Sequence, residues 1–433
     1  MNKKKKSTTF TRSSSHSLKF SNKGKLEDSQ VFLTEYRRIL QLIVDDLWEN
    51  GIVAGDVTFD ISKNKLYCPS MLPNDYLKQY DCFFTARMLQ CVGKQACGMI
   101  NSATKKRSKQ LYMLKKLQKE GEDTRKLQRK IDIQALVKPD CSNANAELDS
   151  RFIDFKEESP KFDMFVKVRI APRISFNLPI LHNKVSRKWL SKGELRPSVR
   201  LTDNSLILIF AIPKVEKRKE GRVLGCDQGM LTVASFSDSQ ITNPCLHGHT
   251  LSSIQNKLAR RVSDSKRFKE AQEHRKNYIN WSLKQINFSE TKELRLEKIQ
   301  DLRKGKRTSK SLKHWTYTLI KQKLMSISEE EGFQFTEVPN EFRSQRCSSC
   351  GWVRKANRKG KTFKCNKCGF ATDADLNAAS NLELDLFEVP WWVRSKKINL
   401  KGFYWNSDNL FTESWEPIVP NTNKAIIDDN KCL

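Results

Sequence analysis

Four cysteines near the end of the chain have the type and spacing of a metal site. Cys347, Cys350, Cys365 and Cys368 form the pattern CxxC-x14-CxxC. Two such pairs can close a tetrahedron of thiolates around Zn²⁺, and a site with four protein ligands is structural rather than catalytic. The spacing therefore predicts a zinc ribbon that holds one structural Zn²⁺.

The segment between the two cysteine pairs is basic. It reads GWVRKANRKGKTFK and contains six Lys or Arg residues and no acid. Such a loop suits contacts with the phosphate backbone of a nucleic acid. The ribbon is therefore expected to face a nucleic acid.

Two acids follow directly after the ribbon. Asp373 and Asp375 precede Asn377-Ala378-Ala379, which opens a predicted helix. Carboxylate oxygens are the ligands that Mg²⁺ prefers, and bound Mg²⁺ can promote phosphodiester hydrolysis. Merely solvated acids are also common beside zinc ribbons, so this pattern alone leaves both interpretations open.

The composition indicates a polyanionic partner. The 433 residues include 79 Lys and Arg against 49 Asp and Glu, a formal net charge of +30. An excess of this size favours nucleic-acid binding. The other eight cysteines show no CxxC pairing, which indicates reduced thiols in a cytosol. The sequence has neither a long apolar run nor the apolar segment of a signal peptide, so we expect a cytoplasmic protein without a membrane partner.

Before residue 222, the sequence pattern changes from helical to strand-like. Residues 27–150 carry apolar residues at helical spacing, with one helix predicted over Glu27–Asn50 and another from Asn74 to about Val92. Residues 151–215 alternate between apolar and polar, which predicts antiparallel strands. Eleven basic residues lie on two helical stretches between 105 and 130, separated at Gly121. This hairpin is predicted to contact nucleic acid through Lys105, Lys106, Arg107 and Lys109.

After residue 222, acids occur on separate elements. RVLGCDQGM places Asp227 at the end of a strand, and LRLEKI places Glu297 in another strand. A long helix is predicted over about Leu251–Ile286, and its residues Lys257, Arg260 and Arg261 are expected to contact the backbone of a nucleic acid. The order of strands and helices, ending in the Asp375 helix, is that of an RNase H-like nuclease core. Three carboxylates from separate elements can hold two Mg²⁺ about 3.5–4 Å apart.

These residues together resemble a known family. The stretches GCDQGM, LRLEKIQDL, RSQRCSSCG and CNKCGFATDADLNAASNL are similar to the split RuvC nuclease and inserted zinc ribbon of transposon-encoded TnpB and of its CRISPR descendants. Among those descendants, the short chain most resembles the miniature type V-F effectors. The resemblance covers about residues 222–384, whereas the N-terminal half matches only in architecture.

The resemblance implies a multidomain α+β fold. A RuvC nuclease core would contain an inserted zinc ribbon, and an N-terminal β-barrel (wedge) domain would be interrupted by a helical recognition domain. The expected segments are the wedge domain at 1–26 and 151–215, the recognition domain at 27–150, the RuvC core at 216–340 and 371–390, the zinc ribbon at 341–370 and an aromatic tail at 391–433.

The resemblance also assigns roles to the acids. By their motifs, the three catalytic acids that bind two Mg²⁺ would be Asp227, Glu297 and Asp375. The sequence around Glu297 departs from the family pattern, so Glu293 and Glu337 remain rivals for the second position, and Asp373 is the rival for the third. Arg343 and Arg346 flank the ribbon where the family has a polar run, and a phosphate contact by these two residues is a hypothesis.

The implied function is that of an RNA-guided DNA endonuclease with guide RNA and target DNA as partners. The family contains type V-F effectors of antiviral defence, which act as two copies on one guide RNA, and TnpB, which acts as one copy. The sequence leaves open which of these two applies. A nuclease-dead RNA-guided regulator would need lost acids, and a non-catalytic zinc-ribbon RNA-binding protein would leave the spaced acids unexplained.

The tail departs from the family pattern. Its aromatic residues are Trp391, Trp392, Phe403, Tyr404, Trp405, Phe411 and Trp415. Aromatic side chains can stack on bases. The tail has about as many acids as bases, however, so we expect it to dock on the protein's own surface.

Overall fold

The computed structural model describes residues 8–171, 174–299, 316–390, 393 and 398–418. The chain divides into two compact units, Met1–Pro213 and Lys214–Leu433. Both units combine helices and strands, which confirms the predicted mixed α+β class. Within the described ranges, no helix is long and apolar enough to cross a membrane.

The first unit is built from antiparallel strands and helices. Its strands are β1 (Thr9–Ser17), β2 (Ile52–Ala54), β3 (Val57–Phe59), β4 (Ala146–Asp149), β5 (Ile153–Ser159), β6 (Phe162–Ala171), β7 (Ile174–Ile180), β8 (Glu194–Leu201) and β9 (Ser205–Pro213). Its helices are α1 (Lys23–Asn50), α2 (Asn74–Leu77), α3 (Ala86–Lys119), α4 (Arg125–Ile133) and α5 (Lys184–Leu190).

The strands of the first unit follow the predicted alternation. One sheet has the order β1-β9-β8-β4 and another the order β5-β6-β7. Along β9, every second side chain is buried, from Leu206 through Leu208 and Phe210 to Ile212. This pattern places an apolar face toward the core of the unit and a more polar face away from it.

The helices of the first unit confirm one prediction and correct another. In α1 the apolar residues at helical spacing, which include Phe32, Tyr36 and Leu47, are buried. The predicted single helix from Asn74 is wrong, because it is interrupted between α2 and α3. Asp46 accepts hydrogen bonds from the hydroxyls of Tyr76 and Tyr80 at 2.5 and 2.9 Å, which ties the interrupting segment to α1 instead.

The second unit contains a mixed sheet and two small sheets. Its strands are β10 (Arg222–Gln228), β11 (Ala234–Phe236), β12 (Thr291–Glu297), β13 (Gln334–Val338), β14 (Trp352–Val353), β15 (Arg358–Lys359), β16 (Thr362–Lys364), β17 (Ala371–Asp373), β18 (Phe403–Trp405) and β19 (Leu410–Phe411). Its helices are α6 (Leu251–Ala259), α7 (Lys266–Leu283), α8 (Tyr317–Glu331) and α9 (Ala374–Glu383).

The mixed sheet has the order β11-β10-β12-β13. β10 and β11 are antiparallel, whereas β10, β12 and β13 run parallel. Apolar side chains of β10 and β12, including Leu224 and Leu296, pack with Ile279 of α7 and Leu324 of α8 in one buried cluster. This cluster fixes the strands on which two of the predicted acids lie.

Helix α9 packs directly on β10. A Cβ atom added to Gly225 would lie 2.0 Å from the carbonyl oxygen of Ala379 and 2.7 Å from the backbone nitrogen of Glu383. Only glycine fits this approach, because any side chain would push the helix away from the strand. The motif that precedes Asp227 therefore sets the position of the helix that carries Asp375.

The predicted long helix over Leu251–Ile286 is wrong, because the structure has two helices there. Ser265 accepts a hydrogen bond from the backbone nitrogen of Phe268 and so caps α7. Asp264 has a φ of 64°. A right-handed helix cannot continue through a residue in this left-handed conformation.

The tail extends a small sheet of the ribbon, which agrees with the prediction that it docks on the protein. β18 pairs with β14, and β19 pairs with β18. Phe403, Tyr404 and Trp405 are buried in this arrangement. Trp391 and Trp392 lie outside the described residues.

Candidate active site and metal centre

The three predicted acids line one cavity of about 550 Å³ in the second unit. Cys226 of β10 is in register with Leu296 of β12, so the following residues, Asp227 and Glu297, lie side by side where these parallel strands end. Asp375 enters from the first turn of α9. The sequence predicted all three residues, and the structure brings them together.

Burial and neighbouring charges disfavour the charged forms of Asp227 and Glu297. Burial raises the pKa of Asp227 well above its ordinary value, and the charges of Glu297 and Asp375 raise it further. Burial also raises the pKa of Glu297 to about 7, although the Gln228 backbone N–H donates to its carboxylate at 3.1 Å and opposes that shift. Buried, mutually repelling carboxylates in a cavity are typical of functional sites.

Two cations of the ribbon face these acids. Asp375 is 4 % exposed, and Arg358 donates to its Oδ1 atom at 2.9 Å. Lys361 donates to the other carboxylate oxygen. Both cations come from the basic segment between the cysteine pairs, and both line the cavity.

The sequence did not predict this arrangement of Arg358 and Lys361. The basic segment was expected to face a nucleic acid, with no particular partner for any of its residues. The contact depends on the pairing of β16 with β17, in which Thr362 is in register with Asp373. That pairing, which composition does not reveal, brings the hairpin to the start of α9.

Asp373, the rival for the third acid, has another role. Its side chain caps α9 by accepting hydrogen bonds from the backbone nitrogens of Asp375 at 2.8 Å and Leu376 at 3.2 Å. An N-cap of this kind stabilises a helix by about 1 kcal/mol. Asp373 is not among the described residues that line the cavity.

The rivals for the second acid are also engaged elsewhere. Glu293 forms an ion pair with Arg295 at 3.3 Å, and Glu337 forms one with Lys321 at 2.5 Å. Neither glutamate is among the described cavity-lining residues. Glu297 is thus the candidate glutamate that joins the two aspartates.

The donor set of the cavity fits divalent cations with a preference for oxygen. Asp227, Glu297 and Asp375 provide carboxylate oxygens from three separate elements. Carboxylates that repel one another are stabilised by a cation between them, and Mg²⁺ prefers oxygen ligands. These residues therefore fit Mg²⁺.

The four predicted cysteines form a cluster that could hold Zn²⁺, with all four sulfur atoms within 4.8 Å of one another. The Sγ atoms of Cys347 and Cys368 are 3.7 Å apart, as are those of Cys350 and Cys365. Sulfur atoms about 2.3 Å from a tetrahedral zinc would lie about 3.8 Å apart. The observed spacing fits that geometry.

The two cysteine pairs lie in two separate turns of the same kind. Gly351 donates its backbone N–H to the carbonyl of Cys347 at 3.0 Å, and Gly369 donates to that of Cys365 at 3.1 Å. Both glycines have a φ of 78°, a conformation that side chains disfavour. The repeated turn points each pair of thiols toward the cluster.

The ribbon core joins the zinc cluster to the acids. Its buried residues are Cys347, Trp352, Phe363, Cys365, Ala374 and Tyr404. Ala374 is the first residue of α9, and the next residue is Asp375. The folding of the cysteine cluster thus fixes the position of the third acid.

Arg343 and Arg346 are both largely buried, so the hypothesis that both contact phosphate beside the ribbon needs correction, although Arg343 lines the same cavity as the three acids. Each is only 6 % exposed. Arg343 donates to the carbonyl of Asn381, and Arg346 donates to the Asn381 side-chain oxygen at 2.7 Å and to the Trp405 carbonyl at 2.9 Å. Burial lowers the pKa of each to about 10, which leaves both charged at neutral pH. They connect α9 and the tail to the ribbon.

The other predicted nucleic-acid contacts are mostly exposed. Lys105, Lys106 and Lys109 lie on the outer part of α3, but Arg107 donates to the carbonyl of Gln134 after α4. At the end of α6, the exposed cations are Lys257, Arg260 and Arg261. Six of these seven predicted side chains are thus exposed and can contact the phosphate backbone of a nucleic acid. The seventh, Arg107, supports the hairpin instead.

Comparison with known proteins places these features in a family context. Residues 317–382 match the family described as "Cas12f1-like, TNB domain". Over 77 residues, the chain is 40 % identical to the CRISPR-associated endodeoxyribonuclease Cas12f1 of Sulfoacidibacillus thermotolerans, which covers 18 % of each protein. Over 92 residues it is 31 % identical to a TnpB-like protein of Aquifex aeolicus, covering 20 % of this chain and 30 % of that protein. The matched segments thus span less than a third of these relatives.

A solved structure extends the likeness to the fold. The chain is similar to Cas12f1 in a cryo-EM structure of that protein with single guide RNA and target DNA, with a TM-score of 0.54 and 15 % identity. The match covers 87 % of this chain and 99 % of that one. Together, these findings confirm the resemblance to miniature type V-F effectors and TnpB-like proteins.

Proposed function

We propose that this protein is an RNA-guided DNA endonuclease with an RNase H-like (RuvC) active site. The observation that carries the proposal is the meeting of Asp227, Glu297 and Asp375 in one cavity. They lie on two parallel strands and on a helix packed against the sheet. The matches to an endodeoxyribonuclease and to a TnpB-like protein support the same reaction class.

The three acids would hold two Mg²⁺, which would supply activation of water and neutralisation of charge at the leaving oxygen. Burial of the acids keeps their oxygens in a poorly solvated cavity, where electrostatic interactions are strong. Arg358 and Lys361 add positive charge at the same cavity, where they can attract the phosphodiester. The β15–β16 hairpin thus positions the substrate as well as Asp375.

The domain assignments are part of this proposal. The mixed sheet and α9 would form the RuvC core over 216–340 and 371–390, with the zinc ribbon at 341–370. The first unit would supply the wedge domain at 1–26 and 151–215 and the recognition domain at 27–150. Its antiparallel sheets and long helices support that division.

Guide RNA and target DNA are the proposed partners. The net charge of +30 supports binding of two polyanions, an RNA and a DNA. Base pairing would then supply sequence specificity, while the protein reads shape. The sequence match to the CRISPR-associated Cas12f1 supports a type V-F effector in antiviral defence, for which two copies on one guide RNA are the family expectation, and the TnpB-like match supports the transposon-encoded alternative.

The decisive experiment combines RNA sequencing with a cleavage assay. RNA that co-purifies with the full-length protein identifies the guide, and DNA complementary to it serves as substrate. We expect Mg²⁺-dependent cleavage by the wild type and none by Asp227→Ala or Asp375→Ala, with guide and target binding nearly intact. Glu297→Gln should behave in the same way.

Asp373→Asn is the matched control, because asparagine keeps an oxygen that can cap α9. It should retain cleavage. Full cleavage by Asp375→Ala would reject the site, and loss of cleavage in Asp373→Asn alone would move the third role to that residue. Absence of any co-purifying RNA and of any DNA cleavage would reject the function.

A further inference from the structure

The tail carries an exposed tryptophan in a strained backbone conformation. Trp415 has a φ of 62°, in the left-handed region that L side chains disfavour. Its backbone N–H donates to the Thr412 carbonyl at 3.1 Å, and the Thr412 N–H donates to the Glu416 carbonyl at 2.8 Å. Strain of this kind persists only where the surrounding structure fixes it, and such residues cluster at binding sites.

The indole of Trp415 is held by stacking. Its ring lies on that of Tyr404 with centroids 4.3 Å apart and an interplanar angle of 14°. Tyr404 is 8 % exposed and packs at 4.8 Å against Trp352 of the ribbon core. Trp415 itself remains 55 % exposed. One indole face is therefore covered and held in place, and the side chain still offers a large aromatic surface to solvent.

The exposed residues around this ring include both cations and acids. Lys367 lies 5.5 Å from the ring centroid of Trp352 and pairs with Glu413, two residues before Trp415. Lys364, on the neighbouring strand β16, is also exposed.

We propose that Trp415, backed by Tyr404, is a stacking platform for a base of single-stranded DNA. Every base has a π-face, so such a platform binds a single strand without reading its sequence. The choice of DNA rests on the proposed function. The ribbon that supports Trp415 also sends Arg358 and Lys361 to the acids, so a strand on the ribbon would be one that leads to the cleavage site.

The test uses full-length, zinc-containing Asp227→Ala protein without Mg²⁺, so that DNA is not cut. The probes are a thymidine dodecamer, an abasic dodecamer with the same phosphates, and a dodecamer with 5-iododeoxyuridine for photo-cross-linking. Trp415→Gly is the key variant, because glycine accepts a φ of 62° and the loss of the ring removes the strain with it.

Trp415→Gly should weaken thymidine dodecamer binding on the order of tenfold and leave abasic dodecamer binding unchanged. Trp415→Phe should retain most of the affinity. Trp281→Ala, which removes another exposed tryptophan of the second unit, should change neither affinity. Mass spectrometry should locate the iododeoxyuridine cross-link at Trp415.

Unchanged binding of the thymidine dodecamer to Trp415→Gly would overturn the platform, as would an equal loss for both dodecamers. A cross-link with a 5-iodouridine RNA but not with DNA would overturn the assignment to DNA. These readouts do not depend on cleavage. A wild type that cuts no guide-matched DNA would reject the proposed function while a cross-link at Trp415 would still support the platform.

Discussion

Burial of the cavity acids has a measurable consequence for stability. The pKa of Glu297 is about 7, above its ordinary value of 4.5, and that of Asp227 is raised as well. Between these pH values, the folded protein therefore binds more protons than the unfolded chain. By linkage, this pair of residues makes folding less favourable as pH rises through that window.

Glu297→Gln should remove much of this pH dependence in protein free of Mg²⁺. Relative to wild type, we expect the variant to gain on the order of 1–3 kcal/mol of stability at pH 8 and little at pH 4. Urea denaturation of the zinc-containing protein at the two pH values measures the difference. Equal effects at pH 4 and pH 8 would show that Glu297 titrates normally.

For individual residues, the sequence predicted those that belong to short local motifs. It did not predict contacts between residues that are distant in the chain. Asp227 and Asp375 follow from the short motifs around them. The contacts of Arg358 and Lys361 with Asp375 depend on how the hairpin folds back. Nothing local in RSQRC shows that the Arg343 guanidinium is buried against α9 at the edge of the cavity.

Among the elements, the contact between α9 and β10 is the one on which the proposed site depends most. Gly225→Ala would place a methyl group 2.0 Å from the Ala379 carbonyl oxygen. Because backbone atoms on both sides must move, we expect a loss of roughly 2–4 kcal/mol and a marked loss of Mg²⁺ binding.

The control is Gly98→Ala in α3, where an added Cβ meets nothing within 4 Å. That change should stabilise the protein slightly, since alanine favours helix by about 1 kcal/mol over glycine. Urea denaturation and Mn²⁺ binding measured by electron paramagnetic resonance test both variants. Normal Mn²⁺ binding by Gly225→Ala would show that α9 tolerates displacement.

The tail is a structural part of the ribbon. Ending the chain after Lys401 removes β18 and β19, and with them Tyr404 of the ribbon core and the Trp405 carbonyl that accepts from Arg346. A buried guanidinium would lose a partner, which is costly. We therefore expect the truncated protein to release zinc much faster to a chelator.

Trp415→Gly serves for comparison, because it keeps both strands and should hold zinc as tightly as the wild type. Equal zinc release by the truncated chain and the wild type would show that the ribbon folds without the tail. The rates can be followed with a chromogenic zinc chelator.

Periodicity predicted elements where a single amphipathic pattern runs unbroken, as in α1. It failed over Leu251–Ile286, where the apolar pattern continues across a break that Asp264 and Ser265 impose. It also failed at the start of α3, where hydrogen bonds to Asp46 hold the preceding segment away from helix. In both places, interactions outside the pattern decided the structure.

For the whole molecule, the excess of positive charge should govern RNA affinity. Replacing Lys105, Lys106 and Lys109 with Gln removes three exposed cations while keeping Arg107, which supports the hairpin. At about 0.7–0.9 per lost phosphate contact, the log-log slope of affinity against salt should become shallower by about 2–3.

Fluorescence anisotropy of labelled guide RNA between about 50 and 300 mM salt measures this slope. The weakening should not depend on RNA sequence, and the zinc content should be unchanged. An unaltered salt dependence of RNA affinity would show that these three lysines are solvated and do not contact RNA. The triple replacement of Lys257, Arg260 and Arg261 would then be the next variant to measure.

The order of the parts along the chain has a consequence for how the protein is made. During synthesis, the first unit with its basic hairpin would emerge from the ribosome well before Asp375 and the strands that complete the ribbon. At roughly 5–20 residues per second, that delay lasts about ten seconds or more. Chains stalled after residue 340 should bind RNA yet cut no DNA. Under the proposed function, each newly made molecule would thus pass through a period in which it can acquire its guide before it is able to damage a chromosome.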